Sequence, residues 1–286
     1  MKPTHSQILF IGFWLLAGMS ACQQPKSDSG LSGQFINSLK NKIEVTISDK
    51  TIQLKSSGLG GFSQCKPYFA WRNEGVEKWS EDMATTIEKT KISDKETKIL
   101  CPIGPVDALI TIRQLDDNIV EFSGSLKNKS SKTIEMARFH YLHGTIENRK
   151  ANFIGNVPWS FNIIKKTDTL SSPRNTFEKT WKGMGPDWVQ LSNPIHDEAN
   201  WAVSADIGIF GEALDKPGWF FGFTGPGTAY GEVGYKTQVD PSPFFAGVLL
   251  ENTILEPDSS RLLEKFIIYA GDWQDGMRYW VKRTAE

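Results

Sequence analysis

Cysteine and histidine are scarce in this chain, with three and four residues respectively among 286. No cysteine has a second cysteine or a histidine at the close spacing of a zinc site, so the sequence offers no metal centre, and no cofactor is expected. Charge of one sign is missing too. Lys and Arg number 32 against 33 Asp and Glu, a formal net charge of −1. No basic stripe stands ready to neutralise phosphates, which excludes a nucleic-acid partner. The N-terminal apolar run, Ile8 to Leu16, falls short of the ~20 residues that cross a bilayer. The phosphate-cradling loop between strand and helix, the Gly-x-Ser-x-Gly elbow and internal repeats are all absent.

What is present begins at the N-terminus. Lys2 and His5 precede the apolar run, and "LAGMSAC" follows it, the pattern of an export signal. Met19, Ser20 and Ala21 before Cys22 resemble a lipobox. That implies cleavage before Cys22, acylation of its new N-terminus, and a lipid anchor in a bacterial cell envelope, periplasmic or surface-exposed. Residues 1–21 are then a signal peptide, and the polar, Gly- and Ser-rich residues 22–39 a flexible tether. Membrane association rests on the lipid alone. Two cysteines remain, Cys65 and Cys101. Outside the cytoplasm they are candidates for a disulfide, with two buried free thiols as the alternative.

Beyond the tether, short strands alternate with Gly, Pro, Asn and Asp turns. "NKIEVTISDKTIQLKSSG" places Ile43, Val45 and Ile47 on one face, turns at Ser48 to Lys50, and resumes at Ile52 and Leu54. "ALITIRQLDDNIVEFSGSLKN" repeats the scheme around Asp116, Asp117 and Asn118. At least nine strands with this texture predict an all-β sandwich of mainly antiparallel strands, and the alternation argues against a parallel βαβ plan. Two stretches read as helix. "VEKWSEDMATTIEKTK" fits a weak helix or a loop and strand equally. The C-terminal segment is clearer: Asp272 is an N-cap, Asp275 lies in the first turn, and Lys282 and Arg283 lie in the last. Trp273, Met277, Trp280 and Val281 share one face. Either that face folds back on the sandwich, or its partner lies outside the chain and it is exposed.

Aromatic residues crowd the middle of the chain. "TWKGMGPDWVQLSNPIHDEANW" offers Trp181, Asp187, Trp188, Asn193, His196, Asp197, Glu198 and Trp201. Tryptophan stacks on the apolar face of a sugar ring, while neighbouring carboxylates and amides take its hydroxyls. The competing reading is aromatic filling of a large core. His140 and His143, three apart in a strand, should point to opposite faces and cannot share a metal without a bulge. Composition nominates no catalytic carboxylate pair, and Asp206, Glu212 and Glu232 fit solvated strand positions.

The order "GWFFGFTGPGTAYGEVGYK", then "LEPDSS" and "GDWQDGMRYW", resembles the end of the N-terminal domain of clan D glycoside hydrolases. The nearest likeness is to the α-galactosidase and raffinose-synthase group, and the specific motifs lie between Gly218 and Tyr279. The resemblance implies a galactose-mutarotase-like β-supersandwich over 40–270 and a linker helix over 271–286. It implies a galactoside-type carbohydrate partner, with a catalytic barrel or partner chain completing the site. The catalytic aspartates of that group sit on the barrel, so no residue here inherits their role. The domain in relatives packs on the barrel and lends a loop to its pocket; Trp71 and Arg72, with Trp181 to Trp201, are the segments suited to that. Two rivals remain. One is a mutarotase-type epimerase drawing on His140, His143 and His196; the other is an envelope lipoprotein that binds another protein through exposed aromatics.

Overall fold

The computed structural model describes residues 41–156, 161–170, 199–224 and 229–285. Cys22, Trp181, Asp187, Trp188, His196 and Asp197 lie outside them. Among the described residues seventeen strands form two sheets. The first runs in the order β1 (Ile43–Ile47), β2 (Ile52–Ser56), β3 (Gly60–Asn73), β9 (Ile134–Ile146), β16 (Ser242–Leu255), β15 (Tyr230–Lys236), β12 (Trp201–Ala205), with β4 (Ser80–Met83) also paired to β3. The second runs β11 (Phe161–Ile164), β10 (Asn152–Asn156), β13 (Ile207–Gly211), β14 (Gly218–Phe223), β17 (Ser260–Gly271), β8 (Ile119–Asn128), β7 (Val106–Asp116), β6 (Glu96–Ile103), β5 (Glu88–Ser93). Every pairing is antiparallel. The expected all-β, antiparallel class is the one the chain adopts.

Both expected hairpins form, for local reasons. The β1–β2 turn is held by the Ser48 hydroxyl, which accepts from the Thr51 amide at 2.9 Å. At the β7–β8 turn the buried Asn118 side chain donates to the Ala270 carbonyl at 3.1 Å, tying the turn to β17. The ambiguous stretch around Trp79 is strand rather than helix, forming β4 and β5. Strand β5 is exposed along its whole length at the edge of its sheet. Its lysines and glutamate blunt an edge that would otherwise invite pairing.

The inward faces share one core. Phe62 meets Phe210, Trp219 and Phe221 edge-on at ring distances of 5.2–5.4 Å. Cys65 and Cys101 lie in that core as free thiols on strands of opposite sheets, β3 and β6. The disulfide left open by the sequence is therefore not formed, and both residues serve as small apolar fillers. Burial pushes the Cys65 thiol well above its ordinary range and the Cys101 thiol up to about 12.

The C-terminal helix α1 (Trp273–Thr284) is capped by the Asp272 side chain, which accepts from the Gln274 amide. Most of its apolar face is covered. Trp273, Met277 and Trp280 pack on Ile154, Ile209, Phe220 and Ile267 of the second sheet. The Trp280 indole donates to the Phe223 carbonyl at 2.6 Å and that of Trp273 to the Leu214 carbonyl at 2.8 Å. Gly222 makes room: a Cβ there would lie 2.5 Å from the Trp280 ring. Of the two outcomes open for this face, the structure takes the first for Trp273, Met277 and Trp280, while Val281 stays exposed.

Candidate functional site, a buried ionic chain on the outer face of the first sheet

The site begins with an irregular strand. Against β16, His140 pairs with Gly247 and Leu142 with Ala246, so Tyr141 is an extra residue in β9. Against β3, His140 pairs with Tyr68 and His143 with Lys66, three steps against two. The bulge resets the alternation, because Tyr141 and Leu142 both turn into the core. His143 therefore joins His140 on the outer face, contrary to the expectation from their spacing. Their Nδ1 atoms are 3.1 Å apart. An earlier irregularity, with Met136 opposite Trp71 but Arg138 opposite Ala70, brings Arg138 onto the same face.

Glu232 completes the chain. It pairs across the sheet with Gly247, which pairs with His140, so one row reads Glu232, Gly247, His140, Tyr68 over β15, β16, β9 and β3. Gly247 is the gap that lets the two side chains meet. A Cβ there would lie 2.2 Å from the Phe139 carbonyl oxygen and 2.6 Å from His140 Cδ2. Across that gap Glu232 Oε1 lies 3.2 Å from His140 Nε2 and 3.2 Å from Arg138 Nε. Arg138 and His140 have no exposed surface, and Glu232 is buried as well. The assignment of Glu232 to a solvated position is thus corrected: its neighbours across the sheet lift it out of water.

These contacts assign the protons. Burial, and secondarily the Arg138 charge, hold the His140 pKa well below its ordinary value, so the ring is neutral with one donor and one acceptor nitrogen. A carboxylate paired with a guanidinium accepts, so His140 Nε2 carries the hydrogen and Nδ1 is the acceptor. His143 Nδ1 then donates to it. His140 is sealed, while His143 is only half-buried. The chain Arg138–Glu232–His140–His143 thus runs from the interior to a half-buried imidazole.

Aromatic rings wall this chain. Phe245 stacks on His140 at 4.2 Å and Tyr68 at 4.8 Å. The Tyr68 hydroxyl donates to Glu81 at 2.6 Å, and burial followed by that bond raises its pKa. Beside His143 stand Lys66, its partner across β3, and the Ser63 and Thr145 hydroxyls, 3.4 Å apart in the neighbouring pair. Among the described residues no three His, Cys, Asp or Glu side chains converge on a metal position. A cleft of about 260 Å³ lined by Phe62, Trp219 and Lys216, among others, shares no residue with this cluster.

The residues singled out from sequence divide. Trp201 belongs to the site as a buried wall packed on Phe245 at 5.2 Å, with the Lys236 ammonium 5.5 Å from its ring. Arg72 is on the same face but is committed to Glu135 through two bonds of 2.7 and 2.8 Å, and lies over Trp79. Trp71 faces the other way, stacked on Phe69 and packed against Gly104. Consecutive strand residues cannot both face one ligand. Sequence reasoning passed over Arg138, Tyr68 and Gly247, and set Glu232 in solvent. The one available signal was Arg138 itself, a lone charge inside "EMARFHYLH".

No protein-family model matches the chain, and no curated protein matches it by sequence. Among solved structures it is similar to a variant of the GH36 α-galactosidase AgaA from Geobacillus stearothermophilus in complex with raffinose, at 6% identity and TM-score 0.48, over 80% of this chain and 40% of that one. It is similar to a polysaccharide lyase at 14% identity and TM-score 0.42, over 84% and 33% of the two chains. A putative aldose 1-epimerase from Klebsiella pneumoniae is matched at 13% identity and TM-score 0.38, over 70% and 59%. The chain spans less than two thirds of each, and at these identities none of them assigns a role to a residue of this chain.

Proposed function

We propose that the protein is a carbohydrate-binding envelope lipoprotein, anchored through Cys22, whose sandwich meets a sugar on the outer face of the first sheet around His143. The observation that carries this reading is the buried Arg138–Glu232–His140–His143 chain opening at one half-exposed imidazole. A sandwich that only fills space gains nothing from burying an arginine, a glutamate and a histidine, which costs several kcal/mol in desolvation. Hydroxyls at Ser63 and Thr145 beside the His143 imidazole supply the mixed donors and acceptors that a polyol demands. The motif order from Gly218 to Tyr279 points to galactosides. Hydrolysis is not part of this reading. Glycoside cleavage uses two carboxyl groups astride the bond, and on this face Glu81, Glu135 and Glu232 are held by Tyr68, Arg72 and Arg138. Calorimetric titration with galactosides tests it: binding that His143→Ala abolishes is expected, with no turnover of an aryl α-galactoside. Failure of every saccharide on a glycan array to bind would refute it.

One observation favours a second reading, acid–base exchange at the anomeric carbon of a free sugar. The half-buried imidazole of His143, backed by His140 and Glu232, has the chemistry to take a proton from an anomeric hydroxyl. Exchange spectroscopy on galactose anomers decides it: acceleration lost in His143→Ala supports epimerisation, and an exchange rate equal to buffer removes it.

A further inference from the structure

We infer that the cleft between the two sheets is a small-molecule site, for a single apolar ring that carries a carbonyl oxygen; the inference stands apart from the carbohydrate reading above. Each sheet brings one cross-strand pair to it. Phe62 of β3 pairs with Ile146 of β9, and Phe210 of β13 pairs with Trp219 of β14. With Leu59 and Pro217 from the adjoining loops, these residues line an opening of about 260 Å³. Apolar walls with a few placed polar groups are the usual make-up of a ligand site, and drug-sized ligands fill ~300 Å³ or more. This opening holds about nine water volumes at ~30 Å³ each, room for one ring.

Trp219 says what the ring must carry. Its side chain is buried, at 3% exposure, and among the described residues its indole Nε1 has no hydrogen-bond partner. Tryptophan normally finds one when buried. Trp273 and Trp280 do so, donating to the Leu214 and Phe223 carbonyls. An unmade bond of this kind burdens the empty site, and an acceptor that arrives there recovers it. The polar rim is already committed. Asn148 donates to the Leu59 carbonyl and accepts from the Lys150 amide, and Lys216 lies 3.8 Å from Glu212. The cleft therefore asks for one acceptor on an apolar body. A sugar would set several hydroxyls against apolar walls and leave most of them unpaired. A lone hydroxyl would bring a hydrogen that needs an acceptor of its own. A carbonyl oxygen brings none, and cavities walled by aliphatic and aromatic side chains accept benzene-sized guests.

Two ligands of one shape test the inference on the full chain: acetophenone, and α-methylstyrene, in which a methylene group replaces the carbonyl oxygen. In a proton–nitrogen correlation spectrum acetophenone is expected to move one indole N–H resonance downfield, the one that Trp219→Phe removes. α-Methylstyrene should bind without that downfield displacement. The preference for acetophenone, read as the ratio of the two dissociation constants, should fall roughly threefold or more in Trp219→Phe, the worth of one neutral hydrogen bond. Taking the ratio cancels the ring area that phenylalanine gives up. The same ratio in both proteins overturns the inference. So does an indole resonance that acetophenone leaves in place, since the N–H is then spent on the Phe62 ring, 5.2 Å away between centroids. If neither ligand binds, the cleft is not a site. None of these outcomes involves His143, so the carbohydrate reading stands or falls separately.

Discussion

Removing the charge of Glu232 takes a carboxylate partner from a guanidinium that has no access to water. Arg138 is fully buried, its Nε is 3.2 Å from Glu232 Oε1, and the carboxylate is itself nearly sealed. Breaking one partner out of a buried pair costs about 3–5 kcal/mol, most of it the penalty of the orphaned charge. Glu232→Gln keeps the shape and one acceptor oxygen, so the lower end, about 3 kcal/mol, is expected. For a domain of this size each kcal/mol lowers Tm by roughly 2–4 °C, which predicts a fall of roughly 6–12 °C. Urea melts at pH 8, where His140 is neutral in both states, measure the free energy directly. The double variant Arg138→Met/Glu232→Leu should lose less than the two single changes together, since no charge is left uncompensated. A Glu232→Gln variant within about 1 kcal/mol of the parent would show that Arg138 reaches water or another acid, and the ionic chain as described would not exist.

Other expectations follow from the same geometry. His140 binds its proton more weakly folded than unfolded, so the unfolded state takes up a proton first and stability is lost as pH falls below about 6.5, with a slope approaching 1.36 kcal/mol per unit; urea midpoints from pH 5 to 8 should be flatter in His140→Gln. Gly247→Ala drives a methyl group against the Phe139 carbonyl and the His140 ring, both fixed by the sheet, and should cost about 3 kcal/mol or more by the same assay. Trp280→Ala removes a half-buried ring and its bond to Phe223, at a cost of roughly 2 kcal/mol; an unchanged urea midpoint would mean that the helix does not dock. Cys65 and Cys101 should resist a disulfide reagent in the folded protein and react at once in 6 M guanidinium, as buried protonated thiols do.

The fold was legible wherever one sheet face meets water and the other the core. In β1 and β7 apolar side chains alternate with polar ones, the turns carry Ser, Asp and Asn, and the hairpins lie where that pattern puts them. The helix was legible from its cap and its terminal charges, because these act within one turn and need no partner. What covers its apolar face was not legible. That depends on Gly222 in β14 standing beneath Trp280, and no local pattern links positions 222 and 280. The weak helix around Trp79 failed for the opposite reason. Its intrinsic preference is slight, and pairing of β4 with β3 decides it.

The site was illegible for a sharper reason. Alternation is a parity rule, and one inserted residue reverses it for everything downstream. The rule that His140 and His143 face apart holds for a regular strand and fails after one bulge at Tyr141. A bulge has no strong signature of its own, because the residue displaced here is a tyrosine that packs well in the core. The compensating sign lay on a strand more than a hundred positions away. Gly247 and Gly234 stand where a side chain would strike His140 and Phe245, so the space for the cluster is written in β15 and β16, not in β9. A histidine pair in a strand therefore cannot be judged from its own spacing; the residues that must be small on the neighbouring strands settle whether the two rings share a face.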